Sequence, residues 1–333
     1  MKSKKNNNIN LGFWGEIKKP ILALAPMADV TDEAFRQMFV KYGKPDVLFT
    51  EFVSVNGLCS EKGYKNMLLD LKFKKNEHPI VAQVFGSDPE KFYQAAKIIK
   101  KLRFDGIDIN MGCPDKKVEK QGAGAALMKN PKLAQEIIKE TKRGAGSMPV
   151  SVKTRIGYNK IETTKWIKAL LEAEPAAISI HWRTRKEMSE AKAHWSEAKK
   201  VMKLAKNKKT LIIGNGDVES MEDAYAKAEK YGVDGIMVGR GVFGQPWFFA
   251  HPSPPSPSPT GRGGDDVEKK LKIMLEHAVL FNKLFHGRKN FAIMKKHFKA
   301  YANGFKGAKE LRVKLMKADN IKDVKRVVKE FTI

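Results

Sequence analysis

The sequence predicts an α/β fold class, a (β/α)8 TIM barrel followed by a small all-α helical bundle. Eight short runs rich in apolar and β-branched residues recur through residues 1–241, and helical patterns separate them. From residue 265 onward only helical patterns remain. Eight strands that alternate with helices over this length are typical of a barrel of parallel strands covered by helices.

The eight runs have the length of strands, and most are nearly continuous in apolar residues, as strands covered on both faces should be. A doubly wound open sheet is the alternative architecture. Its dinucleotide-binding glycine motif would follow the first strand, where Pro26-Met27-Ala28 stands instead, so we favour the barrel. The predicted strands are 21–27, 47–53, 79–85, 106–112, 149–155, 177–183, 210–216 and 235–241.

Helices are predicted where apolar residues recur with a period of 3.6 residues. Residues 88–102 place Phe92 and Ile99 on one face, and Asp88 followed by Pro89 is typical of a helix start. The same pattern continues after the barrel, with breaks at glycines and at Asp319-Asn320. The other predicted helices are 131–142, 221–231, 267–285, 291–302, 308–316 and 321–331.

Three segments follow from these patterns: a catalytic barrel domain at 1–250, a linker at 251–264 and a helical domain at 265–333. Proline and serine alternate in 251–264, so this segment cannot form a helix or an interior strand. We interpret it as a linker or a disordered insertion. A proline-rich docking motif is a weaker alternative.

The chain carries a large excess of positive charge. Lys and Arg number 63 against 37 Asp and Glu, which gives a formal net charge of +26. Such an excess attracts polyanions, and RNA, DNA or an anionic membrane surface would each satisfy it. A surface that simply favours lysine is the alternative explanation.

The two cysteines, Cys59 and Cys113, exclude several classes of protein. They cannot build a disulfide framework, a four-thiolate iron–sulfur cluster or a cysteine-rich zinc site. Residues 1–10 lack the apolar core of a signal peptide, and no apolar run approaches the ~20 residues of a membrane span. We therefore expect a soluble, cytoplasmic protein without a metal, monomeric by default.

Polar, charged or glycine residues close nearly every predicted strand, and in a barrel the strand C-terminal ends carry function. The seventh and eighth strands end in the glycine-rich strings 215–217 and 239–241, where the backbone can approach an anion closely. These strings predict a cradle for a cofactor phosphate. Glycine required only by tight turns is the alternative.

Cys113 follows the fourth strand at Asn110-Met111-Gly112-Cys113-Pro114. A lone cysteine is most often a small buried apolar residue, and Cys59 keeps that interpretation. Cys113, at the catalytic end of a strand, is instead a candidate general acid, since a thiol with a pKa of about 8.5 keeps its proton at neutral pH. Lys153 and His181 end the next two strands. Each alone could equally be a residue in a surface ion pair.

Taken together, these strings resemble the FMN-dependent tRNA-dihydrouridine synthase family. The resemblance runs from about residue 21 to residue 247 and continues more weakly through the helical region. The motifs that carry it are 25–28 with 30–32, 83–86, 110–114, 122–125, 152–155, His181 with 183–185, 215–217 and 239–241.

The resemblance implies a barrel that holds FMN, followed by a helical domain that grips tRNA. NADPH (or NADH) would reduce the flavin, hydride would pass to C6 of a flipped-out uridine, and Cys113 would protonate C5. The resemblance assigns the cofactor to Pro26, Met27, Ala28, Gln83, Lys153, His181, Asn215, Gly216, Asp217, Gly239 and Arg240. It assigns the substrate to Asn110, Arg183 and Arg185, with Lys295, Lys296, Lys299 and Arg312 as candidates for the tRNA surface.

Two residues depart from the family pattern, since glycine is more common where Asp29 and Trp182 stand. Trp182 would either pack beneath the site or stack on a base. Two other functions stay open at this point. One is an FMN-dependent oxidoreductase of a free pyrimidine, similar to dihydroorotate or dihydropyrimidine dehydrogenase, and the other is a non-catalytic RNA-binding protein.

Overall fold

The computed structural model describes residues 9–250 and 264–332. Its sheet has eight strands in the order β1-β8-β7-β6-β5-β4-β3-β2, and every pair of neighbours is parallel. A parallel bridge between Ala23 and Val47 closes the ring. The predicted barrel is therefore confirmed. The strands are β1 Ile21–Leu24, β2 Leu48–Ser54, β3 Ile80–Phe85, β4 Gly106–Met111, β5 Val150–Arg155, β6 Ala177–His181, β7 Leu211–Asn215 and β8 Gly235–Val238.

The residues group into two compact units, one formed by 1–27 and 46–239 and the other by 28–45 and 240–333, within the described ranges. The predicted domain boundaries at 250 and 265 stay a prediction. The predicted linker, 251–264, lies outside the described residues except for its last residue. Of residues 1–10, which lack the apolar core of a signal peptide, residues 1–8 also lie outside the described residues.

Helices alternate with the strands of the first unit, and their starts obey local capping rules. The Asp88 side chain accepts hydrogen bonds from the N–H groups of Glu90 and Lys91, and Pro89 occupies the first turn. The first helix of the chain, α1 (Glu33–Tyr42), belongs to the second unit. The helices of the first unit are α2 Val55–Leu58, α3 Glu61–Asp70, α4 Pro89–Lys101, α5 Lys116–Glu119, α6 Pro131–Ala145, α7 Thr163–Glu172, α8 Glu197–Ala205 and α9 Met221–Tyr231.

An apolar floor fills the barrel at the N-terminal ends of its strands. A 3₁₀ helix, Gly12–Gly15, packs Trp14 against inward-facing residues such as Phe49, Val81 and Ile213. Trp14 is only 1% exposed. The floor closes this end of the barrel to water, so a ligand can reach inner-face side chains only from the C-terminal ends of the strands.

The second unit is helical in its described part. Besides α1 it contains α10 Gly264–Phe285, α11 Met294–Tyr301, α12 Ala308–Met316 and α13 Ile321–Thr332. The predicted helix 291–302 begins as a 3₁₀ turn, Phe291–Ile293, before α11. The predicted helical region after the barrel is thus present. Among the described residues, no helix is both long and apolar enough to cross a membrane.

Candidate active site

On several strands, the inner face of the barrel changes from apolar to polar toward the C-terminal end. Val81 and Ile213 belong to the apolar floor, and Gln83 and Asn215 follow them two residues later on the same face. The register pairs Asn110 with Lys153 across β4 and β5, and His181 with Asn215 across β6 and β7. Because these strands are parallel, the polar side chains collect at the C-terminal end of the barrel.

Three buried side chains form a hydrogen-bonded row across β3 and β4. The Gln83 amide donates to the Asp108 carboxylate at 2.7 Å, and Ser151 donates to the other carboxylate oxygen at 2.6 Å. The Asn110 amide donates to Gln83 Oε1 at 3.0 Å. Asp108 and Gln83 are fully buried and Asn110 is 5% exposed, so water does not compete for these bonds.

The same row holds the turn that carries Cys113. Asn110 Oδ1 accepts hydrogen bonds from the backbone N–H groups of Gly112 at 3.1 Å and of Cys113 at 2.9 Å. The thiol is half-buried. Burial raises the pKa of Cys113, and the nearby charge of Asp115 raises it further. A backbone hydrogen bond at Asp115 and the cations Arg155 and Lys153 lower this pKa, but the net shift is upward. Cys113 is therefore a thiol at neutral pH.

Lys153 brings a positive charge to this end of the barrel. Burial lowers its pKa to about 8, with a further decrease from Arg155, while Asp108 and Cys113 act in the opposite direction. Among the described residues, its ammonium group makes one hydrogen bond, to Asn215 Oδ1 at 3.3 Å. Asn215 is held in turn by donating to the backbone carbonyl of Met237 at 2.8 Å. Lys153 thus keeps N–H donors for a further acceptor.

His181, Arg183 and Asp217 form a second cluster. Arg183 donates to both carboxylate oxygens of Asp217, at 2.5 and 2.7 Å, and its Nη1 lies 2.9 Å from His181 Nε2. Arg183 is 2% exposed, and its Nε also donates to the carbonyl of Ala191. The structure therefore joins Arg183 and Asp217, which the family resemblance assigned to different ligands, and the charge of one neutralises the other.

The predicted phosphate cradle, residues 215–217, begins at Asn215, the last residue of β7, and its role stays a prediction. Gly216 has φ +123°, and a Cβ there would lie 3.0 Å from the Cβ of Ala193 and 3.1 Å from His181 Cδ2. Only glycine fits this conformation and this space. Trp195 fixes the turn by donating from Nε1 to the Gly216 carbonyl at 2.8 Å. After β8, Gly239 is followed by a short 3₁₀ helix, Arg240–Val242.

The remaining predicted cofactor residues divide between the two units. Pro26, Met27 and Gly239 belong to the first unit, and a Cβ on Gly239 would lie 3.8 Å from Met27 Sδ. Ala28 and Arg240 belong to the second unit. Their assignments to the cofactor stay predictions.

Arg185 is held by an ion pair in the first unit. Its Nε donates to both carboxylate oxygens of Glu119, at 3.0 and 2.9 Å, and its Nη2 also bonds Glu119. Its guanidinium lies 5.2 Å from the ring centroid of Tyr158. The arrangement ties the loop after β6 to α5, which follows Cys113. Its predicted contact with substrate stays a prediction.

Two residues of this end of the barrel were missed as site residues in the sequence. Asp108 accepts a hydrogen bond from Gln83. The sequence could have indicated this residue, because Asp108 and Asn110 are two polar residues on the same face of a strand that is otherwise apolar. Arg155 donates from Nε to the Gly112 carbonyl at 2.9 Å, beside Cys113. Arg155 ends the fifth strand, and a charged residue at that position of a barrel indicates a site residue.

The two departures from the family pattern occupy different settings. Trp182 is fully buried and its ring centroid lies 5.6 Å from that of Trp195, so it packs in the interior and does not stack on a base. Asp29 has φ +54°, a conformation that glycine adopts without strain. Among residues 9–250 and 264–332, no group of three His, Cys, Asp or Glu side chains could hold a metal ion.

Comparison with known proteins matches this chain to one family along most of its length. The dihydrouridine synthase family model matches residues 23–332. A "Probable tRNA-dihydrouridine synthase" of Staphylococcus aureus (strain N315) is 41% identical over 324 residues, covering 96% of this chain and 95% of that protein. A "Probable tRNA-dihydrouridine synthase 2" of Bacillus subtilis (strain 168) is 37% identical over 322 residues, with 96% of each covered. The chain belongs to the dihydrouridine synthase family. It is therefore an oxidoreductase, and the resemblance drawn from its motifs is confirmed.

Solved structures agree with this chain in fold. Histamine dehydrogenase from Rhizobium sp. 4-9 superposes with a TM-score of 0.53 at 13% identity, over 78% of this chain and 48% of that chain. A 2-naphthoyl-CoA reductase in complex with 2-naphthoyl-CoA gives a TM-score of 0.52 at 12% identity, over 68% and 49%. The chain spans about half the length of either structure, and the likeness concerns the barrel fold alone.

Proposed function

We propose that this member of the dihydrouridine synthase family reduces a uridine of tRNA to 5,6-dihydrouridine. The names of its relatives at 37–41% identity support tRNA as the substrate. The net charge of +26 suits a polyanion, since phosphate contacts position an RNA without reading its sequence. The single observation that carries the proposal is Cys113, a half-buried thiol whose backbone N–H is anchored by Asn110 at the C-terminal end of the barrel.

Family membership supports a flavin as the cofactor, and we propose FMN. The residues present fit such a group: Gly216 carries no Cβ, so its backbone can approach an anion closely, and Lys153 keeps donors for an acceptor. Met27, Gln83, Lys153, His181, Asn215, Gly216 and Gly239 would hold it. When bound and reduced by NADPH (or NADH), the flavin supplies the hydride that C6 of uracil accepts.

Cys113 is the proposed general acid for C5 of the uracil. Because its pKa is raised, the thiol arrives at the reaction with its proton. Loss of that proton leaves a thiolate, and the cations Lys153 and Arg155 both favour this charged form. The Cys113 backbone is held by Asn110, so the thiol is aimed before the substrate enters.

A uridine stacked inside folded tRNA has to leave the stack to reach these groups, at a cost of a few kcal/mol. Basic side chains can offset that cost through phosphate contacts. In the second unit, Lys296 and Lys299 are exposed and suit this role. Lys295 is paired with Asp319 at 3.0 Å, and Arg312 donates to the Ala302 carbonyl at 2.8 Å, so both are partly engaged already.

The decisive experiment compares Cys113→Ala with the parent enzyme. We expect the variant to keep its flavin absorbance and its reduction by NADPH, while single-turnover formation of dihydrouridine falls by roughly 100-fold or more, the contribution of a positioned general acid. The substrate is tRNA that lacks dihydrouridine before the reaction. Mass spectrometry of its nucleosides after the reaction measures the dihydrouridine formed.

The matched control is Cys59→Ala, which removes the other thiol. Cys59 directly follows α2, and its Sγ is 3.6 Å from the Lys91 carbonyl. This variant should retain the parent rate. Turnover of tRNA by Cys113→Ala at the parent rate would falsify the assignment of the acid.

A further inference from the structure

An amide relay connects a buried carboxylate to the backbone of Cys113. It consists of Asp108, Gln83 and Asn110, linked at 2.7 and 3.0 Å, and ends at the N–H groups of Gly112 and Cys113. Its three side chains are at most 5% exposed. Side-chain amides can turn over by 180°, which exchanges donor and acceptor, so something must set the direction of the chain.

The carboxylate at the head of the relay sets that direction. An ionised carboxylate only accepts hydrogen bonds, so Gln83 must present its NH₂ group to Asp108 and its oxygen to Asn110. Asn110 must then donate to Gln83 and turn its own oxygen toward the two backbone N–H groups. Reversal of either amide would place two donors, or two acceptors, face to face in a buried site.

We propose that Asp108 is a positioning residue, which orients both amides of the relay and thereby holds the turn that carries Cys113. It acts through Gln83 and Asn110 and touches neither cofactor nor substrate. Burial raises the pKa of Asp108 to about 6, against the opposing effects of Ser151, Gln83 and Lys153, so the carboxylate remains an acceptor at neutral pH.

The relay also determines which hydrogen-bonding group of Asn110 remains available to a ligand. This extension rests on the proposed function. Its oxygen accepts two backbone N–H groups and one of its N–H bonds goes to Gln83. Among the described residues, one N–H donor is the hydrogen-bonding capacity left to this side chain. A carbonyl oxygen of uracil suits that donor, whereas the exocyclic amine of cytosine would oppose it.

The rate at which iodoacetamide alkylates Cys113 tests the relay, and this measurement does not depend on turnover of the flavin or of tRNA. All variants carry Cys59→Ser, so one thiol reacts. In Asp108→Ala the turn is released and the thiol becomes more exposed, and we expect alkylation at pH 7.5 to rise by roughly fivefold. Gln83→Met, which can neither donate to Asp108 nor accept from Asn110, should give the same rise.

The double variant Asp108→Ala/Gln83→Met distinguishes positioning from a general effect on the fold. If Asp108 acts through Gln83, the double variant reacts no faster than either single variant. If the two increases multiply, or if Asp108→Ala reacts at the parent rate, the proposal is wrong. Should Asp108→Ala lose its cooperative thermal transition, Asp108→Leu replaces it in the cycle.

Two conservative variants complete the test. Ser151→Ala removes a donor to the same carboxylate but leaves the direction of the relay unchanged, so its alkylation rate should stay within about twofold of the parent. Asp108→Asn keeps an oxygen that can accept from Gln83 but also gains an NH₂ group, so it no longer imposes one direction on the relay, and its alkylation rate should lie between those of the parent and Asp108→Ala. If Asp108→Asn reacts at the parent rate, an acceptor-only carboxylate is not needed to orient the amides, and the proposal is overturned.

Dihydrouridine formation is measured on the same variants as a separate readout. We expect at least a tenfold loss in Asp108→Ala with retention of flavin, because a displaced acid reacts poorly. An inactive parent would contradict the proposed function, while the alkylation cycle would still decide the role of Asp108. Parent-like activity in Asp108→Ala would contradict the positioning role alone.

Discussion

Lys153 shows how burial prepares a single residue for chemistry. Its pKa is lowered to about 8, so the cation is present below that pH and is lost as pH rises through it. If this cation supports reduction of uridine, we expect the single-turnover rate to fall with an apparent pKa near 8. Lys153→Arg, whose charge persists, should remove that step, because a guanidinium stays protonated in this range. The pH–rate profiles of the two proteins provide the measurement.

Loss of the Cys113 proton would also reduce the rate in alkaline solution. It comes later, since the pKa of Cys113 is raised above its usual value. The profiles of the parent and of Lys153→Arg therefore separate the two steps, because Lys153→Arg should keep only the later one. A parent rate that stays constant between pH 7 and pH 9 would be incompatible with a role for the Lys153 cation.

The sequence identifies the residues that end strands more readily than those that support them. Cys113, Asn110 and Lys153 stand at strand ends, where a barrel collects its function. Asp108 lies inside β4, and its value as an anchor depends on the strand register that places it beside Gln83. The pairing of Arg183 with Asp217 joins residues 34 positions apart, and no local pattern predicts such a contact.

The strands, and those helices that the periodicity predicted, agree well with the structure because periodicity reports burial directly. Helix α9 has the predicted bounds, and β3 and β5 differ from prediction by one residue at the start. The ends of β1 and β8 were predicted too long, because apolar and glycine residues continue after the ladder stops. In β1, Pro26 has no N–H with which to extend the pairing.

Helices α10 and α11 bury a pair of histidines. His277 and His297 are fully buried, their rings lie 4.8 Å apart, and none of their ring nitrogens has a hydrogen-bond partner among residues 9–250 and 264–332. Burial lowers the pKa of His277 to about 3; burial, His277 and Lys296 together lower the pKa of His297. Both rings are therefore neutral in the folded helices.

This pair predicts that acid weakens the helical unit. An unfolded histidine binds a proton below a pKa of about 6.5 while the folded one does not, so stability falls as pH drops below that value. The expected loss is up to about 1.4 kcal/mol per pH unit for each ring. Hydrogen exchange of the α10 and α11 amides at pH 7 and pH 5 measures it.

The control for this prediction is His277→Phe/His297→Phe, which keeps aromatic packing without a titrating group. We expect its exchange-derived stability to decline less than that of the parent between the two pH values. Equal declines in both proteins would show that other groups cause the acid sensitivity.

At the scale of the whole chain, the net charge of +26 predicts strong salt dependence of substrate binding. Each phosphate contact releases counterions, so tRNA affinity should fall by more than roughly 100-fold between about 50 and 200 mM salt. A free pyrimidine would show almost none. Lys296→Gln/Lys299→Gln should reduce the log–log slope by about two, measured by fluorescence anisotropy of labelled tRNA.

Lys200→Gln is the matched control, because Lys200 already pairs with Glu197 at 2.7 Å in the first unit. Its slope should equal that of the parent. A parent affinity independent of salt would argue against a nucleic acid as the substrate.

The bridge between Ala23 and Val47 has a further consequence for the barrel. Without it, β1 and β2 would be the two free edges of an eight-stranded sheet, each with a row of unpaired N–H and C=O groups. Such edges recruit strands from other molecules and start aggregation. The joint is short: the N–H of Leu24 donates to the Val47 carbonyl at 3.0 Å, and the N–H of Val47 donates to the Leu22 carbonyl at 3.1 Å. Two backbone hydrogen bonds thus protect the barrel from intermolecular β-pairing.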